Sequence, residues 1–214
     1  MLSVSLRSQL QAYLRNIRSP VELIVSPGDS QESHEMLAML NEIASLTDLV
    51  TIIETPRGDD RKPSFSIRQP EAKPHIQFAG MPTGPEFSSL VLAILQVGGH
   101  PVIADRASVD RIRTLERDYY FETYISLSCR SCVDVVQALN MMTVINPRIY
   151  NITIDGRVFP RELAAREISV VPTIYVNGEM FGEGRIGLQE FGARLQDLEM
   201  SMRVALQGAG RPKR

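Results

Sequence analysis

The stretch FETYISLSCRSCVDVVQALN, Phe121 to Asn140, carries both cysteines of a 214-residue chain, Cys129 and Cys132, two residues apart. Its opening residues read as a strand, and the run from Cys132 to Ile145 reads as an amphipathic helix. Cys129 therefore follows directly on a strand, and Cys132 falls in the first turn of a helix. Unpaired N–H groups at a helix N-terminus, together with the helix dipole, favour a thiolate over a thiol. A cysteine placed there drops from a free pKa of ~8.5 into the range ~3.5–7.5. Arg130 adds positive charge between the two sulfurs, and Ser131 is the second intervening residue. Cys129 is the candidate nucleophile, and Cys132, deeper in the helix, is the candidate resolving thiol.

Two other uses of a Cys-X-X-Cys pair fit less well. Zinc takes four ligands, and His34, His75 and His100 all lie far from the pair in sequence. A structural staple across so short a loop restrains little unfolded-chain entropy. A redox dithiol is the chemistry that a strand–Cys-X-X-Cys–helix arrangement serves.

A second element points the same way. In EISVVPTIYVNGEMFG, Pro172 follows Val171 and opens a strand. Thioredoxin-like proteins place a cis-proline there, against the disulfide, with the preceding residue offering its backbone to an incoming chain. Pro172 and Val171 are therefore site candidates. The run GEGRIG, Gly182 to Gly187, satisfies the dinucleotide pattern G-x-G-x-x-G in letters only. A Rossmann site needs a later strand bearing an acidic residue, and the 27 residues after Gly187 hold one helix and a tail.

Composition narrows the setting. Twenty-three Lys and Arg against 25 Asp and Glu give a net charge of −2 and no electrostatic footprint for nucleic acid. The longest apolar run, Leu90 to Leu95, is too short to span a bilayer. The N-terminus lacks the layout of a signal peptide, so a cytoplasmic location is expected, where structural disulfides are rare. The basic end RPKR reads as a frayed terminus.

The order of elements appears twice. Val21 to Ser26 lies 100 positions before Phe121 to Ser126, and Pro63 lies 109 before Pro172. At the first offset Asp29 and Glu32 align with Cys129 and Cys132. The chain reads as α/β, two contiguous thioredoxin-like folds fused into one domain with a mixed central sheet flanked by helices. Residues 1–100 form a redox-inactive first unit, 101–206 the unit with the dithiol, and 207–214 a linker or tail.

Thiol exchange also needs a proton acceptor near the resolving cysteine. Thioredoxin-like proteins put an acid six residues before the first cysteine, where this chain has Thr123. Glu86, opening an otherwise apolar helix, is the replacement candidate; its competing role is a helix-start acid favoured by the dipole. Asp134 reads as a solvated helix residue and Asp155 as a turn residue before Gly156.

The runs FETYISLSCRSCVDVVQALNMMTVINPRI, VPTIYVNGEMFGEGR and FAGMPTGPEFSSLVLAILQVGGHP resemble the N-terminal domain (tandem thioredoxin folds) of the alkyl hydroperoxide reductase flavoprotein. The resemblance covers about residues 5–205. It implies a dithiol–disulfide electron carrier, passing reducing equivalents from a flavin-dependent NAD(P)H reductase portion to a peroxiredoxin. Cys129 and Cys132 match the family's redox pair, and Glu86 matches its glutamate reaching in from the first fold. Arg130-Ser131 replaces the usual His-Asn between the cysteines, a departure that bears on the reduction potential. No cofactor or metal is expected within this chain; FAD and NAD(P)H belong to the reductase portion. The alternatives are a stand-alone protein disulfide reductase and a non-catalytic peptide-docking module of thioredoxin fold.

Overall fold

Val21, Leu23 and Val25 are buried while Glu22 and Ile24 between them are only partly covered, and this period of two makes β1 (Val21–Ser26). The computed structural model describes residues 3–55 and 61–209. The other strands are β2 (Val50–Glu54), β3 (Ser64–Arg68), β4 (Ile76–Ala79), β5 (Tyr119–Ile125), β6 (Ile149–Asp155), β7 (Thr173–Val176) and β8 (Glu179–Glu183). The helices are α1 (Val4–Leu14), α2 (Gln31–Ala44), α3 (Phe87–Val97), α4 (Arg106–Arg113), α5 (Arg130–Ile145), α6 (Pro160–Ala165) and α7 (Leu188–Ala209). Polar caps fix several starts: the Ser3, Ser30 and Asp105 side chains accept from backbone N–H groups three residues on. The last helix runs through Ala209, into the stretch expected as linker or tail, and the RPKR end lies outside the described residues.

The eight strands form one mixed sheet in the order β2-β1-β3-β4-β6-β5-β7-β8. Each half repeats one pattern. In the first, β1 pairs parallel with β2 and antiparallel with β3, and β3 pairs antiparallel with β4. In the second, β5 pairs parallel with β6 and antiparallel with β7, which pairs antiparallel with β8. The two edges meet where β4 runs parallel to β6, from Ile76 opposite Asn151 to Ala79 opposite Ile154. Each half thereby removes one exposed edge from the other.

The cysteine-bearing helix is built into this junction. The first half's core of Leu10, Leu23, Met36, Phe65, Phe78 and Ile94 continues without a break into Ile125, Cys132 and Val136. A second core, around Phe121, Leu139, Ile149, Phe191 and Leu195, lies under α4, α5 and α7. A small third cluster, Ala79, Tyr124 and Ile154, packs against Phe159, Leu163 and Ile168, around α6. Glu199 of α7 ties that helix down: its Oε1 accepts from the N–H groups of Glu116 and Arg117 at 2.9 Å and from the Tyr119 hydroxyl at 3.1 Å.

Turn chemistry sets the hairpin register. Asn177 and Gly178 both have positive φ, 52° and 87°, as a two-residue β-hairpin turn requires. The glycines of GEGRIG complete the corner after this hairpin: Gly182 belongs to β8, and Gly184, with φ 74°, turns the chain towards α7.

Candidate functional site

Cys129 is the N-cap of α5, in extended backbone, and its sulfur accepts from the N–H of Cys132 at 3.2 Å. The Ser131 hydroxyl lies 3.4 Å from the same sulfur, as its donor. Cys129 and Cys132 are joined as a disulfide with Cα atoms 5.4 Å apart. Cys129 is half-buried, Cys132 is fully buried, and Arg130 between them is exposed. Access and the helix terminus thus favour one sulfur, and the hydrophobic core shields the other.

The Val171–Pro172 peptide is cis, and Pro172 is buried. The Val171 carbonyl oxygen lies 3.7 Å from Cys129 Sγ, a contact rather than a hydrogen bond because a disulfide sulfur has no proton to give. The structure therefore brings Cys129, Cys132, Arg130, Ser131, Val171 and Pro172 together. Beside Arg130, an apolar groove of about 740 Å³ opens between α1, α3 and α5, lined by Leu10, Tyr13, Phe87, Val91 and Val133.

Glu86 ends a 3-10 turn, Gly84–Glu86, that leads into α3 and packs on α5. It has no exposed surface, and neither carboxylate oxygen has a hydrogen-bond partner. Burial pushes its pKa up to about 7; the nearby Ser89 hydroxyl pulls the other way without making a hydrogen bond of normal geometry. A surface helix-start acid would be solvated, and Glu86 is not.

The other acids separate clearly. Asp134 is exposed and pairs with Arg185 at 2.7 Å, as its helix position suggests. Asp155 ends β6 opposite Ile125 and opens the turn at Gly156, as its sequence position suggests: its carbonyl oxygen accepts from the N–H of Val158 and its Oδ1 from the N–H of Arg157, and the residue is buried. Thr123, standing where thioredoxin-like proteins place an acid, donates to Asn151, which donates in turn to Asn140, at 3.0 and 2.9 Å. This neutral chain occupies the space beneath α5. Among the described residues, no three His, Cys, Asp or Glu side chains gather as a metal site would require.

The first half repeats the helix start with different atoms. Ser30 caps α2, its Oγ accepting from the N–H of Ser33 at 3.2 Å, and Ser33 is buried. The counterparts of Cys129 and Cys132 are therefore Ser30 and Ser33, whereas Asp29 and Glu32 are exposed. The expected register slips by one because the first half uses one residue more between strand and cap. Val25 and Ile125 hold the same ladder position, their carbonyls accepting from Thr55 and Gly156, yet the caps fall at Ser30 and Cys129. The spacing of Ser33 with Met36, Leu40 and Ile43 was the available signal, because it puts Ser33 on the buried face. The loops before β3 and β7 also match. Lys62–Pro63 is cis like Val171–Pro172, and the Pro63 and Pro172 carbonyls accept from Gly80 and Gly184, each at 2.8 Å.

Comparison with known proteins follows the same outline. The sequence is 49% identical over 195 residues to the F component of alkyl hydroperoxide reductase from Pseudomonas aeruginosa, covering 91% of this chain and 37% of that protein. The corresponding protein of Escherichia coli is 47% identical over the same length, with the same coverage. A Bacillus subtilis protein named NADH dehydrogenase is 42% identical over 194 residues. The chain spans a little over a third of the length of these relatives. No family model matches it. Among solved structures, the NTD_N/C domain of the Enterococcus faecalis alkyl hydroperoxide reductase superposes with a TM-score of 0.83 at 27% identity, covering 91% of this chain and 100% of that one. A protein disulfide oxidoreductase from Aeropyrum pernix shares the fold, with a TM-score of 0.81 at 19% identity and coverage of 94% and 95%.

Proposed function

With the chain a homologue of the N-terminal portion of the alkyl hydroperoxide reductase flavoprotein, we propose that it is a dithiol–disulfide electron carrier. It accepts reducing equivalents from a flavin-dependent NAD(P)H reductase portion and passes them to a peroxiredoxin in the cytoplasm. The flavin and the nicotinamide would sit on the reductase portion. In this reading residues 1–100 are a redox-silent support and 101–206 carry the exchange. The observation that carries it is Cys129 at the α5 N-cap, half-exposed beside the Val171 carbonyl, with Cys132 sealed in the core behind it.

The exchange has two steps. The Cys129 thiolate of the reduced protein attacks one sulfur of the partner's disulfide; that S–S bond breaks, and the partner's other sulfur leaves as a thiolate and takes a proton. Cys132 gives its proton to Glu86 and attacks Cys129 Sγ, which releases the partner's second thiolate. The chain ends as the Cys129–Cys132 disulfide, having given up two electrons. The α5 terminus lowers the cost of the thiolate at Cys129. Glu86, with a pKa near 7, can take and return a proton at neutral pH. Val171 offers its backbone to an extended partner segment, and the groove beside Arg130 supplies apolar surface next to the reacting sulfur.

The test is direct. Reduced protein, freed of dithiothreitol, is mixed with a peroxiredoxin in its disulfide form, and new peroxiredoxin thiols are counted. Wild type should transfer one pair of electrons per chain, and Cys129→Ser none. Equal transfer by the two proteins would leave a docking module as the better account.

A further inference from the structure

The α6 helix is six residues long, and none of them is buried. A helix this short has little stability of its own, and its apolar anchorage is the small cluster that Phe159, Leu163 and Ile168 reach. Its polar anchorage is far more extensive, and the key member comes from the other half of the chain. Arg61 Nε donates to both oxygens of Glu162 at 2.8 and 3.1 Å, and its Nη2 donates to Glu162 Oε2 at 2.8 Å and to Glu122 Oε1 at 2.6 Å. Arg166 Nη2 donates to the other Glu122 oxygen at 2.6 Å, and the Tyr124 hydroxyl donates to Glu162 at 2.9 Å. The Arg166 guanidinium also stacks over the Tyr175 ring at 4.3 Å. Two cations and two anions alternate, so each carboxylate is held from two sides. Contact with Arg61 holds the Glu162 carboxyl below the usual carboxylate range.

What α6 feeds into gives the network its meaning. The N–H groups of Glu167 and Ile168 bond back to Ala164 and Leu163 of the helix. Three residues later comes Val171, whose carbonyl faces Cys129. The path from Arg61 to the partner-binding backbone is therefore Glu162, α6, Ile168, Val171. Arg61 stands two residues before cis-Pro63, the place Val170 holds before cis-Pro172. Where the active half presents this loop to a partner, the silent half has turned the same loop inward as a clamp.

We propose that Arg61 is a positioning residue for substrate docking: through Glu162 and Glu122 it locks α6, and with it the 167–171 backbone, at the distance from Cys129 that a partner disulfide requires. The inference rests on the dithiol reading above and deepens it. The first half then contributes to recognition as well as to the core.

The experiment uses the full chain with Arg61→Met, which keeps the stem and loses the charge, and Arg61→Lys, a single point charge that cannot fork between two carboxylates. Three readouts are taken: amide hydrogen exchange, steady-state reduction of insulin disulfides with dithiothreitol, and the rate with a small aromatic disulfide that needs no docked backbone. Arg61→Met should speed exchange at Glu167 and Ile168 and raise KM for insulin, each by roughly tenfold, the equivalent of one lost interaction of ~1.4 kcal/mol. The kcat and the small-disulfide rate should stay within about twofold, amides of α5 should be unchanged, and Arg61→Lys should fall between. If Arg61→Met does not fold, Glu162→Gln, which leaves the Glu122 pairs in place, carries the same comparison. Unchanged exchange at Glu167 and Ile168, or a parallel fall with both disulfides, overturns the positioning role. A wild type that reduces neither disulfide overturns the dithiol reading itself, and the clamp with it.

Discussion

Ser30 and Cys129 cap their helices in the same way, each accepting from the N–H three residues on at 3.2 Å. Oxygen and sulfur therefore sit at corresponding points of two halves that share a strand order. The residue three along, Ser33 or Cys132, is buried in both. The first half has the cap geometry of the cysteine pair with oxygen in place of sulfur.

That geometry should accept sulfur. The double substitution Ser30→Cys and Ser33→Cys is expected to form a second disulfide under mild oxidation, because helix-start positions three apart already suit one in the other half. Thiol counting after oxidation checks this. Two free thiols persisting while Cys129 and Cys132 are fully paired would show that the first half's extra loop residue has spoiled the match.

The two native cysteines should differ sharply in the reduced protein. Cys129 caps α5 and is half-exposed, whereas Cys132 is sealed in the core. Iodoacetamide should label Cys129 well below pH 8, consistent with a thiolate of pKa ~3.5–7.5 at a helix terminus, and leave Cys132 largely unmodified. Equal labelling at neutral pH would reverse or erase the assignment of nucleophile and resolver.

Glu86 carries a pH signature with a definite sign. Its carboxyl is raised from 4.5 to about 7 by burial, so the folded chain holds the proton more tightly than the unfolded chain. Its ionisation costs nothing below pH 4.5, and that pH-dependent penalty grows as pH rises to about 7, reaching on the order of 3 kcal/mol above that. Glu86→Gln removes the titration. Denaturant melts should show the variant gaining on wild type between pH 5 and 8, whatever constant offset the amide adds. The same variant should slow release of the mixed disulfide by ~10²-fold or more. Parallel stability curves would mean that Glu86 is ionised and solvated after all, and a matching exchange rate would remove its role as base.

Glu199 should matter for stability alone. One of its oxygens satisfies three donors: two backbone N–H groups from the segment between α4 and β5 and the hydroxyl of Tyr119, which opens β5. Glu199→Ala orphans them, at about 1–3 kcal/mol for each group left buried and unpaired, offset where water enters. The midpoint of unfolding should drop, with dithiol exchange per folded molecule unchanged. An exchange defect in the folded variant would show that α7 reaches the site in a way its contacts do not suggest.

The local features were legible in the sequence because local rules make them. Strand alternation, the helix after Cys129, the Asn177–Gly178 turn and Pro172 depend on residues within one or two turns of each other. The repeat of elements then supplied the tandem fold, and chemistry at a helix start marked Cys129 as the candidate nucleophile. What lay beyond reach was decided between distant residues. Nothing in the composition of β4 or β6 announces that they pair across the halves, since either could have remained an edge. The one-residue slip that puts Ser30, and not Asp29, opposite Cys129 depends on loop length, which alternation in the flanking strand does not fix. Arg61 meets Glu162 across 101 positions and Glu199 meets Tyr119 across 80, and Arg61, Glu162 and Glu199 each read alone as an ordinary surface charge. The depth of Glu86 is the same kind of fact. A carboxylate at a helix start is favoured by the dipole in water, and here its pKa rises to about 7 because burial, with α5 of the other half packed on its turn, excludes the solvent.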